Sequence, residues 1–234
     1  MTVGHPAWPT LWPQVNRVVE GLRDGLGDTI GDHLVGLYLS GSLALGGFHP
    51  PSSDIDVLVA TARVLDEPVV GRLAELHATL KTAGGFGARL ETVYLPVAAL
   101  RRYDPSDQRR YPIAASGRDL AHHRQSLGWV LDRWVAREHG LTVAGPRPSG
   151  LIDPIGPEVL RAAVRGLLLS FWAGQLQGAA PAWLRPQRPG VRSPQHVPGP
   201  VLPGTWAGGL QAGSGCLGEP VARPPLAGRW SPER

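Results

Sequence analysis

Three carboxylates have the types and spacing needed to hold a metal ion beside a phosphate. Asp54 and Asp56 lie two apart in the strand-like run 54–60, so both side chains project from one face of a strand. Glu91 lies on the next expected strand. Carboxylate oxygens suit Mg²⁺, which neutralises charge and aligns groups during phosphoryl or nucleotidyl transfer. We predict that Asp54 and Asp56 bind Mg²⁺, and that Glu91 acts as general base, further metal ligand or both.

A glycine–serine turn precedes the aspartates by about a dozen residues. Gly41 and Ser42 follow the apolar run 34–39, and such a turn presents backbone N–H groups that can bind phosphate. Alone, a Gly-Ser pair is usually an ordinary turn, and an Asp-X-Asp pair is usually a solvated strand edge. A Gly-Ser turn, an Asp-X-Asp strand, a helix and a strand bearing Glu91 follow one another along the chain, and this order indicates a phosphate and metal site much more specifically than either pair alone.

Hydrophobic spacing predicts the elements that position these residues. Val15, Val18, Val19 and Leu22 have helical spacing, and the runs 34–39, 54–60 and 88–97 are typical of strands. We predict helices at 12–26, 67–81, 126–140 and 157–176, and we assign no element to 100–120. The expected fold is α/β, a mixed sheet with flanking helices followed by a partial helical C-terminal lobe and a disordered tail.

Charge and composition argue against several other classes of protein. The sequence pI is about 9.8, but residues 186–234 hold 5 of the 23 Lys and Arg and only 2 of the 19 Asp and Glu. Residues 1–185 are therefore nearly neutral, so we expect no nucleic-acid partner. We see no apolar run of roughly 18–20 residues and no leader, so we expect a cytoplasmic protein without a membrane partner. The single cysteine, Cys216, excludes an internal disulfide.

The segment 37–60 resembles a known motif. LYLSGSLALGGFHPPSSDIDVLVA is similar to the Gly-Ser…Asp-X-Asp motif of the polymerase-β-like nucleotidyltransferase superfamily, and most similar to its aminoglycoside (streptomycin/spectinomycin-type) adenylyltransferase branch. WVAREHGLTVAGP, at 134–146, also looks like the helix and Gly-Pro turn that follow the sheet in that branch. The resemblance covers about residues 12–185.

The resemblance implies a function and assigns roles. It implies an aminoglycoside O-nucleotidyltransferase that transfers AMP from Mg-ATP to a hydroxyl of an aminoglycoside. Asp54 and Asp56 would bind Mg²⁺, Glu91 would be the catalytic base, and Ser42 and Ser53 would contact ATP. Because an aminoglycoside is cationic, its pocket should be acidic, but the sequence does not locate the carboxylates.

The expected domains are a catalytic domain at 1–118, the start of a helical lobe at 119–185, and the tail at 186–234. The oligomeric state stays open.

Two alternatives remain at this point. One is a nucleotidyltransferase that acts on another acceptor, a protein or an RNA end, as toxin–antitoxin nucleotidyltransferases do. The other is a truncated, non-catalytic remnant. Among other side chains, His122 and His123 are interpreted as solvated residues near a helix start, since neighbours on a helix point about 100° apart. Trp129 and Trp134 are interpreted as core residues of the helix 126–140.

The tail at 186–234 has an unusual composition. About two residues in five are Pro or Gly, and Lys, Asp, Asn, Ile, Tyr and Phe are absent, so it cannot build a core. GC-rich DNA read in a wrong phase yields such a composition. Reading one base later from Arg185 gives a segment with helical spacing that resembles the C-terminal helices of the adenylyltransferase branch. A frameshift near Arg185 would remove helices that cover the nucleotide in that branch; the alternative is a natural disordered tail.

Overall fold

The computed structural model of the chain describes residues 10–177. They form six helices and six strands, joined by turns and short 3₁₀ segments. The helices are α1 (Pro13–Ile30), α2 (Gly41–Ala44), α3 (Glu67–Thr82), α4 (Val97–Leu100), α5 (Gly128–His139) and α6 (Pro157–Gln177). The strands are β1 (Leu34–Leu39), β2 (Ile55–Thr61), β3 (Leu90–Pro96), β4 (Arg110–Ala114), β5 (Ala121–Arg124) and β6 (Leu141–Ala144).

The six strands form one mixed sheet in the order β5-β4-β3-β2-β1-β6. Strands β2 and β3 are parallel and are joined through α3, whereas the other neighbouring strands run antiparallel. Strand β6 returns to pair with β1, and beside this pair Tyr38 Oη donates a hydrogen bond to the Pro146 carbonyl at 2.7 Å. The central strands β2 and β3 are buried along their whole length, as expected for parallel strands covered on both sides.

One side of the sheet, called here the α1/α3 face, is covered by α1 and α3. Helix α1 buries residues spaced by three or four positions, which places them on one side of the helix: Val15, Val19, Leu22, Leu26 and Ile30. Helix α3 begins at Asp66, whose side chain accepts a hydrogen bond from the Val69 amide at 3.1 Å and caps the helix. Both helices pack on alternate strand residues such as Val57 and Tyr94.

The other side, called here the α5 face, is covered mainly by α4 and α5. Its apolar residues come from the alternate positions of the same strands: Tyr38, Leu58, Ala60, Val93, Leu95, Tyr111 and Ile113. Trp129 and Ala136 of α5 pack on them. Helix α6 contacts α5, and it exposes several apolar side chains: Val159, Val164, Leu168 and Leu169.

The elements predicted from hydrophobic spacing are present, with ends shifted by a few residues. Strands β4, β5 and β6 were not predicted, and His122 and His123 lie in β5 rather than near a helix start. That interpretation was wrong because pairing with β4, and not the local polar sequence, makes 121–124 a strand. Strands β5 and β6 join the sheet, although both lie beyond residue 118, where we predicted that the catalytic domain ends. The boundary between this domain and the helical lobe stays a prediction.

No helix among residues 10–177 is long and apolar enough to cross a membrane. Trp129 is 2% exposed, so its interpretation as a core residue is confirmed. The tail at 186–234, with Cys216 and the predicted frameshift, lies outside the described residues.

Candidate active site

The three predicted carboxylates come together at the start of the two parallel strands. Asp56 and Glu91 face each other in register across β2 and β3, and both are 3% exposed. Asp54 directly precedes β2 and is half-buried. By strand alternation, Asp56 lies on the same side as Leu58, and Glu91 on the same side as Val93, which is the α5 face. The carboxylates therefore open toward α5.

The turn after β1 fits closely around Asp56. Gly41 has a φ of +53°, and a Cβ added there would lie 1.8 Å from Asp56 Oδ2, so only glycine is compatible with this contact. The Ser40 amide donates a hydrogen bond to the Asp56 carbonyl at 2.9 Å, and the Ser42 amide donates to the Asp56 carboxylate. The predicted Gly-Ser turn is thus in direct contact with the predicted metal ligand.

Ser116, which follows β4, connects the other two carboxylates. Its hydroxyl donates to Asp54 Oδ1 at 3.0 Å, and its amide donates to Glu91 Oε1 at 3.2 Å. One residue therefore fixes the orientation of both side chains. Ser116 was not predicted from the sequence, because it lies in the segment 100–120, for which no element was assigned.

Burial raises the pKa of both aspartates. Burial, with the charges of Glu91 and Asp54, raises the pKa of Asp56 to about 8. Burial also raises the pKa of Asp54, although its hydrogen bond from Ser116 and the nearby charge of Arg89 oppose that shift. A cation beside Asp56 would relieve its repulsion by Glu91 and Asp54, and carboxylates with perturbed pKa values are typical of functional sites.

One further observation bears on whether the residues fit a metal ion. Asp56 Oδ1 and Ser40 Oγ are buried and have no hydrogen-bond partner among the described atoms. An unpartnered carboxylate oxygen is costly unless a ligand satisfies it, and a hard divalent cation is its natural partner. Within residues 10–177, however, no three His, Cys, Asp or Glu side chains form a ready cluster for a metal ion. Asp54 and Asp56 suit Mg²⁺ chemically, and Glu91 as a third ligand stays a prediction.

Comparison with known proteins identifies the fold. A crystal structure of spectinomycin adenyltransferase AAD(9) from Enterococcus faecialis with ATP and spectinomycin matches with a TM-score of 0.53, at 15% identity over 69% of this chain and 68% of that chain. The fold is nucleotidyltransferase-like. A crystal structure of a toxin-antitoxin with AMP-PNP matches with a TM-score of 0.31, at 16% identity over 68% of this chain and 92% of that chain. Neither a protein-family model nor a curated protein matches the sequence.

In this nucleotidyltransferase-like fold, the loop before β2 contains Ser53, which was predicted to contact the nucleotide. Ser53 Oγ accepts a hydrogen bond from the His49 amide at 2.9 Å, and the Ser53 amide donates to the His49 carbonyl at 2.8 Å. Arg89 donates to the Pro50 carbonyl and stacks on Phe86, with its guanidinium carbon 4.5 Å from the ring centroid. Arg89 thereby holds a positive charge near Asp54, which was not predicted from the sequence.

A fourth carboxylate lies near the site and was also missed. Asp132 of α5 is half-buried, and its pKa is raised well above the usual value by burial and by the charges of Asp56 and Glu91, whereas Arg133 opposes the shift. A signal was present in the sequence: Asp132 and Arg133 interrupt the apolar stripe of α5 between Trp129 and Ala136. Charged residues in the buried stripe of a helix indicate a specific partner.

Proposed function

We propose that the chain is a nucleotidyltransferase that transfers AMP from Mg-ATP to a hydroxyl of an aminoglycoside and releases pyrophosphate. The observation that supports this proposal best is the arrangement of Asp56 and Glu91 in register on adjacent parallel strands, with Gly41 against Asp56. The similarity of the fold to a spectinomycin adenyltransferase, together with the motif at 37–60, favours this reaction and an aminoglycoside acceptor.

Each residue has a role in the proposed mechanism. Asp54 and Asp56 hold the Mg²⁺, which supplies charge neutralisation and alignment at the α-phosphate. Glu91 removes the proton from the acceptor hydroxyl as the hydroxyl oxygen attacks the α-phosphorus of ATP. A new P–O bond joins AMP to the acceptor, the P–O bond to pyrophosphate breaks, and pyrophosphate leaves with the electron pair. Ser116 orients Asp54 and Glu91 together. Gly41 and Ser42, which contact Asp56, and Ser53 in the loop before β2 would contact the phosphates of the nucleotide.

The direct test is an assay of AMP transfer from ATP labelled at the α-phosphate. Spectinomycin, streptomycin and other aminoglycosides should become labelled with release of pyrophosphate, in a reaction that needs Mg²⁺. Asp56→Asn and Glu91→Gln should each lower kcat by about 100- to 10,000-fold, because each removes a group that acts in the transition state. The control Asp119→Asn changes a carboxylate whose side chain is 96% exposed, and it should leave the rate unchanged.

Two outcomes would contradict the proposal. Label that appears on a protein or an RNA, with none on any aminoglycoside, would assign the alternative acceptor. Turnover that persists in both Asp56→Asn and Glu91→Gln would show that this site does not catalyse the reaction.

We also propose that the tail at 186–234 arises from a frameshift near Arg185. Sequencing the source DNA across codons 170–234 and beyond should show an open reading phase, one base later, that encodes a helical segment; the repaired chain should then be assayed beside the present one. Stop codons in that phase would make the Pro/Gly-rich tail the natural one and limit the resemblance to the described part of the chain.

A further inference from the structure

Ser40, the residue before the Gly-Ser turn, carries a hydroxyl group that the fold itself does not use. Ser40 is 1% exposed, and its Oγ has no hydrogen-bond partner among residues 10–177. A serine that precedes a helix usually accepts a hydrogen bond from the first turn of that helix, but the Ser40 side chain does not cap α2. Because a buried hydroxyl without a partner is destabilising, alanine would serve the fold better at this position.

Ser40 lies in the same row of the sheet as two carboxylates of the candidate site. Leu39 pairs with Val57, and the Ser40 amide donates to the Asp56 carbonyl at 2.9 Å, so the pairing of β1 with β2 continues to Ser40 and Asp56. Asp56 is in turn in register with Glu91 on β3. By strand alternation, the three side chains project next to one another on the α5 face.

The unpartnered atoms of Ser40 and Asp56 suit one metal ion with its water shell. Asp56 Oδ1 is buried without a hydrogen-bond partner, as Ser40 Oγ is. Directly opposite residues of an antiparallel pair have Cβ atoms about 4.5–5.5 Å apart, so the two groups are close neighbours. Mg²⁺ bound by one or two carboxylates usually keeps several water ligands, and nearby polar groups hold these ligands in place. The Ser40 hydroxyl can accept a hydrogen bond from such a water.

Thr92 provides a comparison within the same sheet. Its Oγ1 is also buried without a partner among the described atoms, and Thr92 is 0% exposed. Thr92 follows Glu91 on β3, so its side chain points to the opposite side, the α1/α3 face, where Leu90 and Tyr94 also lie. Ser40 and Thr92 therefore share a buried hydroxyl, but only Ser40 has that hydroxyl on the side of the carboxylates.

We propose that Ser40 is a positioning residue for Mg²⁺, and that its hydroxyl accepts a hydrogen bond from a water ligand of the ion held by Asp54 and Asp56. The proposal rests on the proposed function, which supplies the Mg²⁺. The hydroxyl touches no reacting atom; it orients the coordination shell of the ion relative to Glu91. Binding of the metal offsets the cost of burying the Ser40 hydroxyl.

The experiment measures metal affinity and stability together. The parent chain, Ser40→Ala and Thr92→Val are titrated with Mg²⁺ alone by calorimetry, and their Tm values are measured in EDTA. Ser40→Ala should raise the Kd for Mg²⁺ by about 10- to 100-fold, as loss of an outer-shell partner does. It should also raise the Tm in EDTA by about 2–4 °C, because an unpartnered buried hydroxyl is removed. Thr92→Val should raise the Tm to a similar extent and leave the Kd unchanged.

A second titration distinguishes the metal from the nucleotide. ATP in EDTA should bind to the parent and to Ser40→Ala with equal affinity, because the hydroxyl acts on the metal shell. Weaker binding of ATP by Ser40→Ala in EDTA would make Ser40 a phosphate contact and would overturn the proposal. A lower Tm of Ser40→Ala in EDTA would give the hydroxyl a structural role and overturn it as well.

The remaining outcomes separate this inference from the proposed function. If the parent chain binds no Mg²⁺ and transfers no AMP, both are wrong. If the parent labels an aminoglycoside and Ser40→Ala keeps the parent's Kd for Mg²⁺, only the role of Ser40 is wrong. If Ser40→Ala weakens Mg²⁺ binding while no aminoglycoside is labelled, the role of Ser40 at the metal is supported and the proposed acceptor is wrong.

Discussion

The two faces of the sheet differ in what they bury. On the α1/α3 face, both helices and the strands contribute almost only aliphatic and aromatic side chains, which stabilise the fold. On the α5 face, the same strands bury Asp56 and Glu91 under a helix that carries Asp132 and Arg133. Burying charge is costly, so the α5 face gives up stability in order to place carboxylates close together. Proteins accept such a cost at functional sites.

Among the changes that test this difference between the two faces, the largest effect is expected at Gly41, which makes the tightest contact of the α5 face. Gly41→Ala should lower kcat/KM by about 100-fold or more, because its Cβ would displace the Asp56 carboxylate. Gly46→Ala is the matched control: Gly46 has a φ of +72° but nothing within 4 Å of its Cβ position. Both changes should lower the free energy of unfolding by about 1–2 kcal/mol because of the positive φ. Equal activity losses in the two variants would show that backbone strain, and not the contact with Asp56, matters.

A second prediction concerns His77, a buried ionisable residue of the α1/α3 face. Burial lowers the pKa of His77 from 6.5 to about 4, so the folded chain keeps it neutral over a range where the unfolded chain binds a proton. Its contribution to stability is therefore complete above pH 6.5 and is lost as the pH falls toward 4. The expected slope is at most about 1.4 kcal/mol per pH unit.

Urea unfolding at several pH values measures this slope. His77→Gln should remove the His77 component, so its stability relative to the parent should rise as the pH falls. Tyr94→Phe removes the hydrogen bond of 2.7 Å between the Tyr94 hydroxyl and His77 Nε2, but it leaves His77 buried and should keep the slope. A constant difference between His77→Gln and the parent across this range would show that the parent's His77 is accessible to protons.

The smallest expected effect concerns the link between Asp54 and Glu91. Ser116→Ala removes the hydroxyl donor to Asp54 but keeps the amide donor to Glu91, so kcat/KM should fall by about tenfold and the Mg²⁺ requirement should rise. Ser106→Ala is the control, since Ser106 Oγ donates to Asp104 Oδ1 at 2.6 Å in an exposed loop. If Ser116→Ala changes the Mg²⁺ requirement no more than Ser106→Ala does, the position of Asp54 does not depend on Ser116.

The sequence predicted the parts of the molecule whose own residues specify them. Apolar runs such as 34–39 and 54–60 form strands in any suitable sheet, and the order of Gly41, Asp56 and Glu91 along the chain is enough to predict a shared site. Strand β5 could not be predicted in this way, because its Ala-His-His-Arg sequence becomes a strand only beside β4. Arg89, Ser116 and Asp132 were missed for a related reason: their proximity to Asp54, Asp56 or Glu91 arises from tertiary packing.

The pairing of β6 with β1 has a consequence for synthesis of the chain. Residues joined at this edge of the sheet, such as Tyr38 and Pro146, are 108 positions apart. At about 5–20 residues per second, a ribosome needs roughly 5–20 s to make the intervening segment. Throughout that interval, the outer edge of β1 presents unpaired backbone groups, and such an edge can pair with other nascent chains. Completion of β6 ends this exposure, so the yield of folded protein should depend on how rapidly residues 141–144 are reached.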